Sequence, residues 1–306
     1  MRPSYATLST VRRRYRIFVV SLRPLESQLS SGYNPSCQQP IGLRRMPRIF
    51  RKNLLCELMR KRRLALCLDY DGTIAPVASS PEEALPPPEI RDLILALSQH
   101  PERFSLTVAS GRRVMEVRAL LALERPLAII GTHGLEVMGW DGQLSLTSPI
   151  AHCLTAIDKT RDWLNCTVPS RAGFFVEDKQ LALAFHYRNG DQTEAATIVE
   201  RLKRLIRREA AELRMFDGDY VTELVPRVAP DKGFVLLSLL RRNRESQWLP
   251  TYFSDDRNDE SAFYQVRRHG ITVLVGPERP SCAEYRIERD ELGDVLTAMV
   301  ETLRIG

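Results

Sequence analysis

Residues Leu64–Thr73 read LALCLDYDGT, five apolar residues followed at once by Asp69, Tyr70, Asp71, Gly72 and Thr73. An unbroken apolar run of that length suits a strand buried on both faces, as in a parallel sheet. It ends in two like charges two positions apart. Such carboxylates both stay ionised only where a cation or strong donors offset their repulsion. In open α/β sheets, reactive groups gather at the carboxyl ends of the strands. The stretch therefore predicts an α/β fold with a hard cation such as Mg²⁺ at the end of this strand.

The sequence around it keeps the same rhythm. Pro88 opens a helix whose Ile90, Leu93, Ile94 and Leu97 fall on one face. FSLTVA (Phe104–Ala109) is a second strand, Ser110-Gly111 turns into a helix bearing Val114, Val117 and Leu121, and Leu127–Ile130 makes a third strand. Beyond Gly139 the pattern changes to helix, hairpin, helix, hairpin, which marks an inserted α+β module. GFFVEDK and LALAFHYR form one hairpin; LRMF and YVTELV flank the turn Asp217-Gly218-Asp219 of the other. A helix from Asp231, the strand TYF, a helix after Asn258, the strand ITVLV and a closing helix then resume the first pattern. The expected division is a basic, poorly ordered extension over 1–60, a discontinuous core over 61–138 and 228–306, and a lid over 139–227.

Composition narrows the functional classes. The 306 residues are 43% hydrophobic, enough for a substantial core, and contain no apolar stretch of membrane-spanning length. Cys37, Cys56, Cys67, Cys153, Cys166 and Cys282 lack CxxC spacing, so reduced thiols in a cytoplasmic protein are expected. The net charge of +6 is unevenly placed: residues 1–63 hold fifteen Lys or Arg and two acids, a net +13, leaving −7 for the remainder. An Arg-rich, acid-poor arm suits a transit peptide, a nucleic-acid-binding tail or an upstream extension before Met46. Nucleic-acid binding leaves the ordered acidic motifs unexplained, so neither a nucleic-acid nor a membrane partner is expected.

Those motifs recur at strand ends and helix starts. Ser110-Gly111-Arg112 offers a hydroxyl and backbone N–H groups to a phosphate. Lys232 opens a helix with an ammonium able to neutralise a phosphoryl group in flight. Asp255, Asp256 and Asp259 follow TYF as an acidic loop. His133, in GTHG, has both a structural and a phosphate-contacting reading, and His186 is equally a strand-edge polar residue or a sugar contact.

The ordered set DxDGT, Ser, Lys, acidic loop resembles the haloacid-dehalogenase superfamily. Within it, DYDGTIAPV, TVASGRR, GTHGLEV, FFVEDKQLALAFHYR, TELVPRVAPDKG and SDDRNDESAF resemble the trehalose-6-phosphate phosphatase family, in its order and over roughly residues 60–303. The resemblance implies a Rossmann-like core with a parallel sheet and an inserted α+β cap. It implies Asp69 as nucleophile, Asp71 as general acid and base, and Lys232 as the charge-neutralising cation. It further implies Mg²⁺ on Asp69, the Asp71 backbone carbonyl and Asp255, with Asp259 in support, and sugar hydroxyls on Glu177, Lys179, Arg188 and Glu223. The implied substrate is trehalose 6-phosphate, with a trehalose-6-phosphate synthase as functional partner. Another sugar phosphate, or a catalytically silent sensing domain, is the alternative. Two positions depart from the family: Ser254 stands where Gly is usual and Asn258 where Thr is usual.

Overall fold

The computed structural model describes residues 44–78, 81–122, 127–169, 173–218, 220–242 and 247–305. Residues 1–43, which hold most of the basic arm and Cys37, lie outside the described residues, as does Asp219. Among the described residues no helix is long and apolar enough to cross a membrane.

The strands are β1 Arg48–Ile49, β2 Leu64–Asp69, β3 Phe104–Ala109, β4 Ala128–Gly131, β5 Glu136–Met138, β6 Leu144–Leu146, β7 Phe175–Asp178, β8 Leu183–His186, β9 Leu213–Gly218, β10 Val221–Pro226, β11 Leu249–Ser254, β12 Ile271–Val275 and β13 Tyr285–Ile287. The helices are α1 Lys52–Lys61, α2 Pro88–Ser98, α3 Val114–Leu121, α4 Leu154–Thr167, α5 Gln192–Glu209, α6 Lys232–Arg242, α7 Glu260–Val266 and α8 Glu291–Ile305. Two compact units divide them: Ser145–Pro230, and the described residues up to Leu144 together with those from Asp231 onward.

The larger unit is built on a sheet of order β1-β13-β12-β11-β2-β3-β4-β5-β6, parallel from β1 to β4 and antiparallel between β4 and β5. Alternation along β2 explains its two-sided burial. Leu64, Leu66 and Leu68 join a core with residues of α1, α2, α3 and α8, while Ala65 and Cys67 face a second core with α6 and α7. Each fully buried Leu contributes on the order of 1.5–3 kcal/mol. The chain passes from β2 to β3 on one side and later returns to β11 on the other. The carboxyl end of β2 is thus a switch point, where a crevice opens between diverging connections.

The expectation of a disordered 1–60 segment fails over its described part. Arg48–Ile49 pairs in parallel with Tyr285–Arg286. Helix α1 buries Leu55 and Met59, one turn apart, and Phe50 before it packs edge-on against Phe253. An apolar i, i+4 pair suffices to dock a helix although Lys and Arg crowd its ends.

The smaller unit is a four-stranded antiparallel sheet, β7-β8-β10-β9, in which the two expected hairpins join through β8 and β10. Asp191 caps α5 by accepting from the Glu194 N–H at 2.8 Å. Ile157 and Leu164 of α4, and Ile198, Leu202 and Ile206 of α5, bury Leu183, Phe185 and Leu224, with Phe174 and Val176 packed alongside. Glu177 and Glu223 both pair with Ala184, so they share one cross-strand row.

Candidate active site

Asp69 is the last residue of β2 and is 3% exposed. Its Oδ1 accepts from the Lys232 Nζ at 2.7 Å. Lys232 is held there because Asp231 caps α6, accepting from the Phe234 N–H at 2.9 Å and fixing the first turn. The same ammonium donates to Asp259 Oδ2 at 3.0 Å. Burial pulls the Lys232 pKa down, but Asp259 and Asp69 beside it hold it well above its ordinary value. This lysine is therefore a fixed positive charge inside the site.

The acidic loop closes over the DxDGT turn. Thr73 joins the two, its Oγ1 donating to Asp255 Oδ1 at 3.2 Å and accepting from the Asp255 N–H at 3.1 Å. Gly72 has φ +83°, and a Cβ there would lie 1.9 Å from Asp255 Oδ2. Only glycine gives both that backbone angle and that approach. Arg289 donates to Asp255 Oδ2 at 3.3 Å and Arg279 to its carbonyl at 3.1 Å. Burial, with Asp256 adding, pushes the Asp255 carboxyl up to about 7. Burial likewise raises Asp69 well above its ordinary value, with Asp259 adding and Lys232 opposing, and raises Asp256 for the same reasons.

Asp71 points elsewhere. Arg112 grips its carboxylate through Nε at 2.8 Å and Nη2 at 2.8 Å, and the guanidinium lies over the Tyr70 ring. Of the expected phosphate-binding group, Ser110 Oγ accepts from the Arg112 N–H at 3.0 Å, so the Ser110-Gly111-Arg112 turn is closed by its own hydroxyl. His133 is buried at φ 53° after Thr132 at φ 48°, two left-handed non-glycine residues in succession. Its backbone N–H donates to the Ser110 carbonyl at 3.2 Å, which ties GTHG to the Ser110-Gly111-Arg112 turn. Strain of this kind persists only where the surroundings over-determine it. Here Glu136 does so: its buried Oε2 accepts from Thr132 Oγ1 at 2.9 Å and from the Val114 N–H at 3.1 Å.

In the smaller unit, Lys179 Nζ pairs with Glu223 Oε1, and Glu177 Oε2 lies 2.9 Å from His186 Nε2. Burial works against ionising Glu177, but the His186 contact and Lys179 hold its carboxyl below the usual range. Arg188 lies over the Tyr220 ring, 5.1 Å from its centroid. These side chains satisfy one another, which the sequence pattern alone does not disclose.

Sequence reasoning passed over Thr73, Glu136, Arg279 and Arg289. Thr73 alone carried a signal, as part of DGT. The others act through contacts far along the chain. Among the described residues, no group of three or more His, Cys, Asp or Glu is arranged to hold a metal ion. Lys232 stands between Asp69 and Asp259, and the Asp71 carboxylate is turned to Arg112.

A parallel sheet wound in this order is the fold of a haloacid dehalogenase-like hydrolase from Bacteroides thetaiotaomicron, with a TM-score of 0.54 at 18% identity over 80% of this chain and 100% of that one. The C-terminal domain of trehalose-6-phosphate phosphatase from C. albicans has this fold, with a TM-score of 0.74 at 18% identity over 84% of this chain and 99% of that one. The trehalose-phosphatase family model matches residues 67–290, and the chain belongs to that family of phosphatases. It is 28% identical to the probable trehalose-phosphate phosphatase D of Arabidopsis thaliana, over 81% of this chain and 70% of the relative. It is also 31% identical, over 76% of its own length, to the uncharacterized glycosyl hydrolase Rv2006 of Mycobacterium tuberculosis, of which it spans 18%.

Proposed function

We propose that the protein hydrolyses trehalose 6-phosphate to trehalose and phosphate, with Asp69 as nucleophile. The observation that carries this reading is the buried Lys232 ammonium set on Asp69 at the carboxyl end of the central strand, in a chain of the trehalose-phosphatase family. An Asp69 oxygen attacks phosphorus, the bond from phosphorus to the sugar oxygen breaks, and Asp71 delivers a proton to that oxygen. Water then attacks the aspartyl-phosphate and gives its proton to Asp71. Asp69 leaves phosphorus and is restored. Lys232 offsets the negative charge spread over the phosphoryl oxygens. Arg112 and the Ser110-Gly111 turn supply donors for them, with His133 beside that turn. For Asp71 to act, its carboxyl must leave the two-pronged grip of Arg112, and a phosphate dianion is a fitting replacement partner for that guanidinium.

No three carboxylates are set to chelate an ion among the described residues, but Asp69 and Asp255 are both raised above their ordinary values by burial and by neighbouring acids, and a divalent cation beside them would favour their ionised forms. Asp69, the Asp71 backbone carbonyl and Asp255 would hold Mg²⁺, with Asp259 behind them, and the ion would supply charge neutralisation for the attacking and leaving oxygens. On the lid, Glu177, Lys179, Arg188 and Glu223 are the groups for sugar hydroxyls. The substrate would be the product of a trehalose-6-phosphate synthase.

The test is phosphate release from a panel of sugar phosphates with and without Mg²⁺. Strong selectivity for trehalose 6-phosphate in the presence of Mg²⁺ is the expected result; equal rates on sucrose phosphate or mannosyl-phosphoglycerate would remove the substrate assignment. The carboxylate cluster also makes stability depend on pH. For Asp255 the folded carboxyl titrates at about 7 against an ordinary 3.8. Between those values the folded state holds the extra proton, so stability falls as pH rises from 4 to 7. Without metal, thermal unfolding should move down by on the order of 5 °C between pH 5 and pH 8. Added Mg²⁺ should raise Tm more at pH 8 than at pH 5, because it binds the deprotonated carboxylates. A metal-free Tm that climbs with pH across this window would contradict the charge reading.

A further inference from the structure

Ser254 ends β11 with its side chain fully buried. Its hydroxyl makes two hydrogen bonds: it donates to Asp259 Oδ2 at 2.7 Å and accepts from the Asp256 N–H at 3.1 Å. The same Asp259 oxygen accepts from the Tyr252 hydroxyl at 2.8 Å and from the Lys232 Nζ at 3.0 Å. Three donors thus converge on one carboxylate oxygen, which leaves that oxygen no lone pair for a metal ion. Tyr252 is also fully buried, so this polar knot is sealed within the second core of the sheet.

We infer that Ser254 is a positioning residue that acts through Asp259 on Lys232, fixing the direction from which the ammonium meets Asp69 and the phosphoryl group. The inference rests on the phosphatase reading above. Lys232 has a flexible stem and three rotatable donors, so its aim is set by what it is tied to. One tie is Asp69, which must be free to react. The other is Asp259, whose carboxylate orientation is set by two hydroxyls on β11, those of Tyr252 and Ser254. A glycine at 254 would leave Asp259 Oδ2 with two donors and the Asp256 N–H without this acceptor. The serine, a departure from the family pattern, therefore tightens the catalytic cation while spanning the turn from Ser254 to Asp259. Fixed donors of this kind favour the transition state over the bound substrate, so the effect belongs in kcat rather than KM.

The experiment compares wild type with Ser254→Ala and Tyr252→Phe. The second variant removes another donor to the same oxygen without touching the Asp256 N–H. Both should lower kcat for trehalose 6-phosphate by about tenfold with KM within about twofold, the pattern of a lost transition-state interaction. Calorimetry on the substrate-free proteins should show Mg²⁺ affinity unchanged within about twofold. Orthovanadate, a five-coordinate mimic of the phosphoryl transition state, titrated into the Mg²⁺-loaded proteins, should bind several-fold more weakly to both variants. Unchanged kcat and vanadate affinity in the two variants would overturn the inference. So would a loss of Mg²⁺ affinity in Ser254→Ala alone, because the hydroxyl would then serve the acidic loop through Asp256. Should wild type release no phosphate from any ester, the phosphatase reading fails by itself, and the two titrations still decide whether Ser254 acts on Lys232 or on the metal loop.

Discussion

Replacing Asp69 by Asn should abolish turnover, with kcat reduced by at least about 10³-fold, while the fold survives. The amide has the carboxylate's shape but is neutral and a poor nucleophile. In this protein it also removes one negative charge from a cluster that has too many. Asp69 titrates well above its ordinary value because burial and the neighbouring Asp259 and Asp255 disfavour its charge, against the pull of Lys232. Lys232 would keep Asp259 as a partner at 3.0 Å, so it would not be stranded as an unpaired buried ammonium. Metal-free Asp69→Asn protein should therefore melt no lower than wild type at pH 8. Two measurements check this, phosphate release and thermal unfolding. Wild-type-like turnover in the purified variant would remove Asp69 from the mechanism, and inactivity accompanied by a collapsed Tm would make the loss structural.

The second large effect concerns the smaller unit and depends on the substrate. Glu177→Gln and Glu223→Gln should each reduce kcat/KM for trehalose 6-phosphate by roughly tenfold to over a hundredfold, since a hydrogen bond to a charged group contributes on the order of 1.5–3 kcal/mol. A small aryl phosphate has no sugar for these side chains to hold, so its hydrolysis should stay near the wild-type rate. Glutamine is preferable to alanine for a reason visible only in the structure. Lys179 is 6% exposed and paired with Glu223, with Glu177 Oε2 3.8 Å away, so glutamine at 223 keeps an acceptor on the buried ammonium that alanine would remove. Leaving that ammonium without the acceptor would confuse a binding effect with a folding one. Equal losses on both substrates would mean that the pair supports the fold of the smaller unit rather than sugar recognition.

Much of the α/β architecture was legible because two-sided burial leaves a plain trace. FSLTVA and ITVLV are strands with the bounds read from their apolar runs, and the third strand is displaced by one residue, to Ala128–Gly131. The helix opened by Pro88 also stands where its apolar spacing put it. Short strands at the sheet margin left no such trace. Arg48–Ile49 is exposed at both residues, and Tyr285–Ile287 has only Ile287 buried, so neither carries an apolar period. The docking of α1 was hidden for a related reason: Leu55 and Met59 sit in a stretch whose net charge dominates its composition.

Residue types and their order along the chain were set by the sequence alone: two aspartates after a buried strand, a serine-glycine turn, a lysine opening a helix, an acidic loop. Which of these touch one another was decided by the tertiary structure. Asp71 meets Arg112 across 41 positions, Lys179 meets Glu223 across 44, and Lys232 meets Asp69 across 163. No local period encodes such pairings, because a buried charge takes whichever partner the sheet order brings within hydrogen-bond reach. Ser254 shows the same limit at short range. Five positions from Asp259, its hydroxyl reads in sequence as a small polar substitute for glycine. Only the burial that removes water from β11 makes Asp259 Oδ2 and the Asp256 N–H its partners, since a hydroxyl and a carboxylate left in solvent would each bond to water instead.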